Sequence, residues 1–152
     1  MKLCWTNGAD PDFVTLIREL DEHLRRINGD QQAKYAPYNA MTPQVEAAVF
    51  YDGETPVACC ALRMHGPEQA EIKRMFVRPA YRRHGLAKRL LAALESRAAE
   101  RGCRQLVLET NPAMADAVAL YQSYGFAEIE NFGPYRDLPT LCLGKAVESR
   151  KP

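Results

Sequence analysis

Residues 70–94 restrict the fold of this chain more than any other stretch. Residues 70–77 read as a β-strand and residues 86–94 as a helix rich in leucine and alanine, with the basic turn Arg82-Arg83-His84-Gly85 between them. The first amide groups of a helix have no intrahelical partners, and the helix dipole adds partial positive charge at the same end. Glycine in such a turn removes the Cβ, so an anion can approach bare backbone. A further β-like run at residues 104–110 follows the helix. Its return to the same sheet makes the whole unit a parallel crossover.

The elements on either side are mostly antiparallel in character. A strand at residues 3–6 ends at Asn7-Gly8, and Asp10-Pro11 reads as a helix cap followed by proline at the first helical position. Phe13, Leu16, Ile17, Leu20, Leu24 and Ile27 then recur at helical spacing up to Asn28-Gly29. Residues 31–43, with Tyr35, Tyr38 and Asn39, read as a short helix and a loop. Residues 46–51 and 56–64 form a hairpin about Asp52-Gly53. Residues 115–124 form a helix stopped by Gly125, and strands at 126–130 and 140–147 close the chain. The order predicts one α/β (α+β) domain over residues 1–147 and a tail at 148–152. Its centre is a mixed, mostly antiparallel sheet of about six or seven strands, flanked by about four helices.

Composition narrows the function. The chain of 152 residues is 47% apolar and 26% charged, enough to bury a core without staples. A net charge of +1 argues against broad nucleic-acid binding. No apolar run approaches the ~20 residues of a membrane span, and the first residues lack the apolar region of an export signal. Cys4, Cys59, Cys60, Cys103 and Cys142 make no Cys-x-x-Cys pair and have no histidine at metal-ligand spacing. They read as reduced thiols of a cytoplasmic protein that needs no metal.

Arg82-x-x-Gly85-x-Ala87 departs from the P-loop, which needs Gly-Lys-Ser/Thr, and from the three-glycine dinucleotide turn. It resembles the Arg/Gln-x-x-Gly-x-Gly/Ala signature of the GNAT N-acetyltransferases. About 35 residues downstream, Ala117-x-x-Leu120-Tyr121-x-x-x-Gly125-Phe126 resembles the block that closes the core of that family. The element order over residues 45–145 is similar to the family's as well.

The resemblance implies the GNAT fold and acetyl-CoA as co-substrate. It implies that the backbone of Met75, Phe76 and Val77 pairs with the pantetheine arm like an added strand. The pyrophosphate is then expected at Arg82, Arg83, His84, Gly85, Leu86, Ala87 and Lys88, with Arg89 adding charge. His84 is on this reading a phosphate neighbour or plain surface rather than a base. Tyr121 takes the place of the tyrosine that protonates the departing thiolate, with packing against the sheet as the alternative. Glu71 is the candidate base for the acceptor amine, with an ion pair to Lys73 as the alternative and Glu109 or a water relay as rivals. Relatives carry an asparagine where Met114 stands, which leaves Asn111 without an assigned role. Direct attack of amine on thioester needs positioning, a proton acceptor and a proton donor, and no metal.

The acceptor side is expected at residues 23–39 and 131–137, where aromatics accompany Arg25, Arg26 and Arg136. Arginine beside aromatic walls suits a small primary amine that also bears a carboxylate, such as an amino acid. A peptide or protein amine, and a non-catalytic acyl-CoA sensor, are the alternatives. The resemblance also allows a homodimer through the last strands.

Overall fold

The computed structural model of the protein describes residues 1–29 and 41–148, so the helix and loop expected over residues 31–43 lie almost wholly outside the described residues, as does most of the tail. Seven strands and three α-helices are described. They are β1 (Lys2–Asn7), α1 (Pro11–Asn28), β2 (Glu46–Asp52), β3 (Thr55–His65), β4 (Gln69–Val77), α2 (Leu86–Glu100), β5 (Gln105–Thr110), α3 (Ala115–Tyr124), β6 (Ala127–Ile129) and β7 (Leu141–Ala146). The strands follow one another in the sheet as β1-β2-β3-β4-β5-β7-β6. β4 and β5 run parallel, with Glu71 opposite Val107, as the crossover reading requires. The pairs β1–β2, β2–β3, β5–β7 and β6–β7 are antiparallel.

The chain packs as two compact units, residues 1–63 with 73–90 and residues 64–72 with 91–152. In the first, Asp10 caps α1 by accepting from the amides of Asp12 (2.9 Å) and Phe13 (3.2 Å), and Pro11 opens the helix. Phe13, Leu16 and Leu20 then bury one stripe of α1 against Ala47, Val49, Cys59, Ala61 and Phe76. Ile27, expected in that stripe, is instead exposed in the helix's last turn. Gly53 turns the β2–β3 hairpin with φ +62°, the left-handed region that favours glycine. Burial pushes the Cys59 thiol up to about 12, so it packs as a small hydrophobe rather than as a nucleophile.

β4 departs from the two-residue alternation of a regular strand, which would put Glu71, Lys73, Met75 and Val77 on one face and Ile72, Arg74 and Phe76 on the other. Glu71, Ile72, Lys73 and Arg74 are buried in succession, and Arg74 takes φ +60°, unusual for a residue with a side chain. Its guanidinium donates to the Ile17 carbonyl (3.3 Å) and to Asp21 (2.7 Å) on α1, which anchors the irregular step.

The second unit has Leu106, Val107, Leu108 and Leu143 in its core. In the same unit the buried Glu95 accepts from the Tyr124 hydroxyl (2.8 Å), the Lys145 ammonium (2.8 Å) and the Glu148 amide (2.9 Å). Burial alone would raise the Glu95 carboxyl, but these three donors outweigh it and hold the group below the usual range.

Candidate active site

The basic turn is set by its own backbone and by one arginine behind it. Arg78 grips Glu19 at 2.6 Å and the Pro56 carbonyl at 2.7 Å, and so fixes the exit from β4. A single 3₁₀ turn, Pro79–Tyr81, follows. Arg82 then reaches back, its Nε donating to the Val77 carbonyl at 2.9 Å. Arg83 and Gly85 both adopt left-handed backbone, at φ +67° and +76°. A Cβ on Gly85 would meet no protein atom within 4 Å, so the demand for glycine comes from φ and not from a neighbouring side chain. The first helical bond of α2 runs from the Arg89 amide to the Gly85 carbonyl at 3.1 Å. The amides of Leu86, Ala87 and Lys88 precede it and face out of the helix start.

Arg82, Arg83, His84 and Lys88 are exposed around those amides, an arrangement that fits a polyanion such as a pyrophosphate. The side chains of Phe76 and Leu86 are buried, so these two residues can serve a ligand only through backbone. Met75 and Val77 are half-buried.

Glu71 lies elsewhere on the strand and in a different setting, only 3% exposed. Its Oε1 is 2.6 Å from His65 Nε2, and its Oε2 accepts from the Tyr135 hydroxyl at 2.8 Å. The Phe132 ring meets both partners edge-on, its centroid 6.5 Å from that of His65 and 5.3 Å from that of Tyr135. The loop that carries Phe132 and Tyr135 is held by Asn131, whose Nδ2 lies 3.1–3.3 Å from the carbonyls of Tyr135, Leu138 and Thr140. An open cleft lined by Glu130, Asn131, Phe132 and Arg136 lies against this loop.

Sequence reasoning missed two members of this centre. Tyr135 counts there only as one aromatic of an acceptor-side loop, whereas it is 2% exposed. His65 was not singled out at all. The available signal was the short turn Gly66-Pro67-Glu68 between two β-runs. It brings position 65 within diagonal reach of position 71 on the neighbouring strand.

Tyr121 is 8% exposed in α3 and packs edge-on to Phe126 at 6.0 Å. Glu109, the rival base, accepts from the Thr140 hydroxyl at 2.7 Å. Asn111 caps its own turn by accepting from the Ala113 amide at 2.9 Å. Among the described residues no helix is long and apolar enough to cross a membrane.

Comparison with known proteins adds to this geometry. Residues 13–126 match the Acetyltransferase (GNAT) family. The chain belongs to the GNAT acetyltransferase family. This GNAT enzyme is 34% identical over 124 residues to the IAA acetyltransferase of Azospirillum brasilense, a match that covers 80% of this chain and 81% of that one. A solved structure of a putative acyl-CoA N-acyltransferase from Klebsiella pneumoniae superposes with a TM-score of 0.81 at 28% identity, over 97% of both chains. A GNAT family acetyltransferase from Elizabethkingia anophelis, solved with acetyl-CoA bound, shares the fold at a TM-score of 0.68 and 18% identity, over 95% of this chain and 97% of that one. The seven-stranded mixed sheet of this GNAT protein is the architecture that its sequence predicts.

Proposed function

We propose that the protein transfers the acetyl group of acetyl-CoA to the primary amine of a small molecule, by direct attack within a ternary complex. The observation that carries the donor half is the turn at residues 82–88, where two left-handed residues open a helix start ringed by exposed cations. When bound, acetyl-CoA supplies the activated acetyl group. Arg82, Arg83, His84 and Lys88, with the amides from Gly85 to Lys88, hold its pyrophosphate. The backbone of Met75, Phe76 and Val77 lines its pantetheine arm.

Glu71 supplies the negative charge that draws a proton from the acceptor ammonium, and Tyr121 holds a proton for the departing thiolate. Arg136 and Phe132 line the cleft, and Phe132 also packs on His65 and Tyr135; the pair suits an acceptor that carries a carboxylate and an apolar or aromatic part. The names of relatives support a small acceptor: besides the IAA acetyltransferase, an aminoglycoside N(6')-acetyltransferase of Salmonella typhimurium is 36% identical over 62 residues, 41% of this chain and 43% of that one. The buried thiols Cys59, Cys60, Cys103 and Cys142 suit a reducing cytoplasm, where we place the reaction. A homodimer through the last strands belongs to the same reading, and sedimentation equilibrium tests it.

The deciding experiment incubates the protein with acetyl-CoA and a panel of amines: an aminoglycoside, an aromatic amine, free amino acids and a peptide with an unblocked N-terminus. Released thiol is the readout. Turnover with the small amines supports the proposal, and turnover with the peptide alone moves the protein to the peptide acetyltransferases. If acetyl-CoA stabilises the fold and no amine turns over, the protein is a sensor.

A further inference from the structure

Glu71 carries an unresolved demand if it is to take a proton in every turnover. It is almost fully buried, and each of its two oxygens already accepts a hydrogen bond, from His65 and from Tyr135. His65 has the opposite character: its side chain is 35% exposed, against 4% for Glu71. The ring also contacts Phe132, which lines the cleft that we assign to the acceptor. Of the two groups, only the imidazole reaches both the buried carboxylate and the solvent side.

The geometry points to His65 Nδ1 as the atom that receives the acceptor's proton, with Glu71 as the carboxylate that orients the ring and stabilises its charged form. This rests on the N-acetyltransferase reading above and specifies which atom of the Glu71 centre does the work. An ionised carboxylate only accepts hydrogen bonds, so Nε2 carries the hydrogen that points at Glu71. That tautomer leaves the Nδ1 lone pair to accept a proton. In the step, an N–H bond of the acceptor ammonium breaks and a bond from that hydrogen to Nδ1 forms. The amine keeps the electron pair with which it attacks the thioester carbonyl.

The resulting imidazolium sits 2.6 Å from Glu71, which offsets its charge. It returns the proton to water from the exposed side of the ring. Among the described residues, the titratable groups found against the ring are Glu71 on β4 and, through Glu71, Tyr135; Phe132 presents an uncharged edge. Tyr135 is a positioning residue here, since it reaches the ring only through the carboxylate that it holds.

Two measurements test the assignment. The first is ¹⁵N NMR of the His65 ring in the wild-type protein, where a proton on Nε2 and a bare Nδ1 are expected. The opposite tautomer overturns the proposal. The second compares wild type, His65→Ala, His65→Gln and Glu71→Gln with acetyl-CoA and the best amine of the panel. Loss of His65 should lower kcat/KM by roughly 10²–10⁴-fold, the range that a positioned base contributes. Free imidazole in the buffer should restore part of the rate to His65→Ala, and none to His65→Gln, whose larger side chain fills the gap.

The shift in Tm on adding acetyl-CoA should match wild type in both His65 variants, which establishes that they fold and bind the donor. If His65→Ala stays within about threefold of wild type while Glu71→Gln is inactive, Glu71 takes the proton itself. That outcome overturns the assignment and leaves the acetyltransferase reading standing. If wild type acetylates no amine of the panel, the acetyltransferase reading fails and the proposal with it.

Discussion

The basic turn at residues 82–88 and the Glu71 centre are built on opposite principles. The turn is local: consecutive residues, mostly exposed side chains, and a row of main-chain amides at a helix start, where we propose the donor binds. Its shape follows from two left-handed residues, Arg83 and Gly85, and its distant brace is Arg78, held by Glu19 and the Pro56 carbonyl ahead of the turn. The Glu71 centre is assembled: His65, Glu71 and Tyr135 come from three elements, and the hydrogen bond between Tyr135 and Glu71 spans 64 positions of sequence. Burial makes its contacts strong and leaves little tolerance for the loss of a partner. A local site therefore degrades gradually under substitution, whereas an assembled one fails at once.

The largest effect should come from the assembled centre. Glu71→Gln keeps the shape and removes the charge, so kcat/KM should fall by roughly 10²–10⁴-fold. The Kd for acetyl-CoA, measured by isothermal titration, should change little, because we propose that the turn holds the donor. If that Kd weakens in parallel with kcat/KM, the two regions are not separable in function and the contrast breaks.

Glu95 is the control for buried charge without chemistry. Its carboxyl is held below the ordinary range by the Glu148 amide, Lys145 and Tyr124. A depressed carboxyl stabilises the fold fully above its unfolded value of about 4.3, and the contribution is lost as pH falls through the lower folded value. Stability should therefore decline on acidification through the carboxylate range, and the decline should be shallower in Glu95→Gln. At neutral pH that variant should lose about 3 kcal/mol, since the nearly buried Lys145 ammonium is left with neutral acceptors and no opposite charge. Urea melts across pH measure both quantities. The kcat of whatever folded protein remains should match wild type, and a specific loss of turnover would give Glu95 a role that its contacts do not suggest.

The same contrast explains what could be read in the sequence. The turn was legible because Arg82, Gly85 and Ala87 sit within six residues and the flanking periodicities switch from strand to helix there. The elements were legible wherever punctuation was local: Asp10-Pro11 opens α1, Asp52-Gly53 turns the hairpin, and Gly125 stops α3. The alternation of β4 was misjudged because a left-handed arginine leaves no mark in a pattern of apolar and polar residues. His65 and Tyr135 escaped because hydrogen bonds to a buried carboxylate depend on register and on where a loop folds back, neither of which a short window encodes. Glu71 itself was named through its likeness to a family. Its partners required the fold.

Within the turn, the backbone should matter more than any one charge. Gly85→Val forces a β-branched residue into φ +76°, a strain of about 1–3 kcal/mol that would weaken acetyl-CoA binding by roughly 5–150-fold if the bound loop keeps this shape. Gly85→Asn should lose much less, because asparagine tolerates left-handed backbone. Equal losses in the two variants would mean that side-chain bulk against the ligand, rather than φ, sets the demand for glycine.

The smallest effect should come from Arg82, and its cause is separable. The side chain is exposed and also braces the turn, its Nε donating to the Val77 carbonyl. Arg82→Ala removes both the charge and the brace, so acetyl-CoA affinity should fall severalfold, corresponding to about 1 kcal/mol. Titrations at low and high ionic strength divide the two contributions, because salt screens an exposed charge but not a short hydrogen bond inside the loop. A deficit that shrinks as salt rises identifies Arg82 as a charge on the pyrophosphate. A deficit that persists at high salt identifies it as the strut that keeps the turn in its binding shape, and Arg82→Lys should then be as weak as Arg82→Ala.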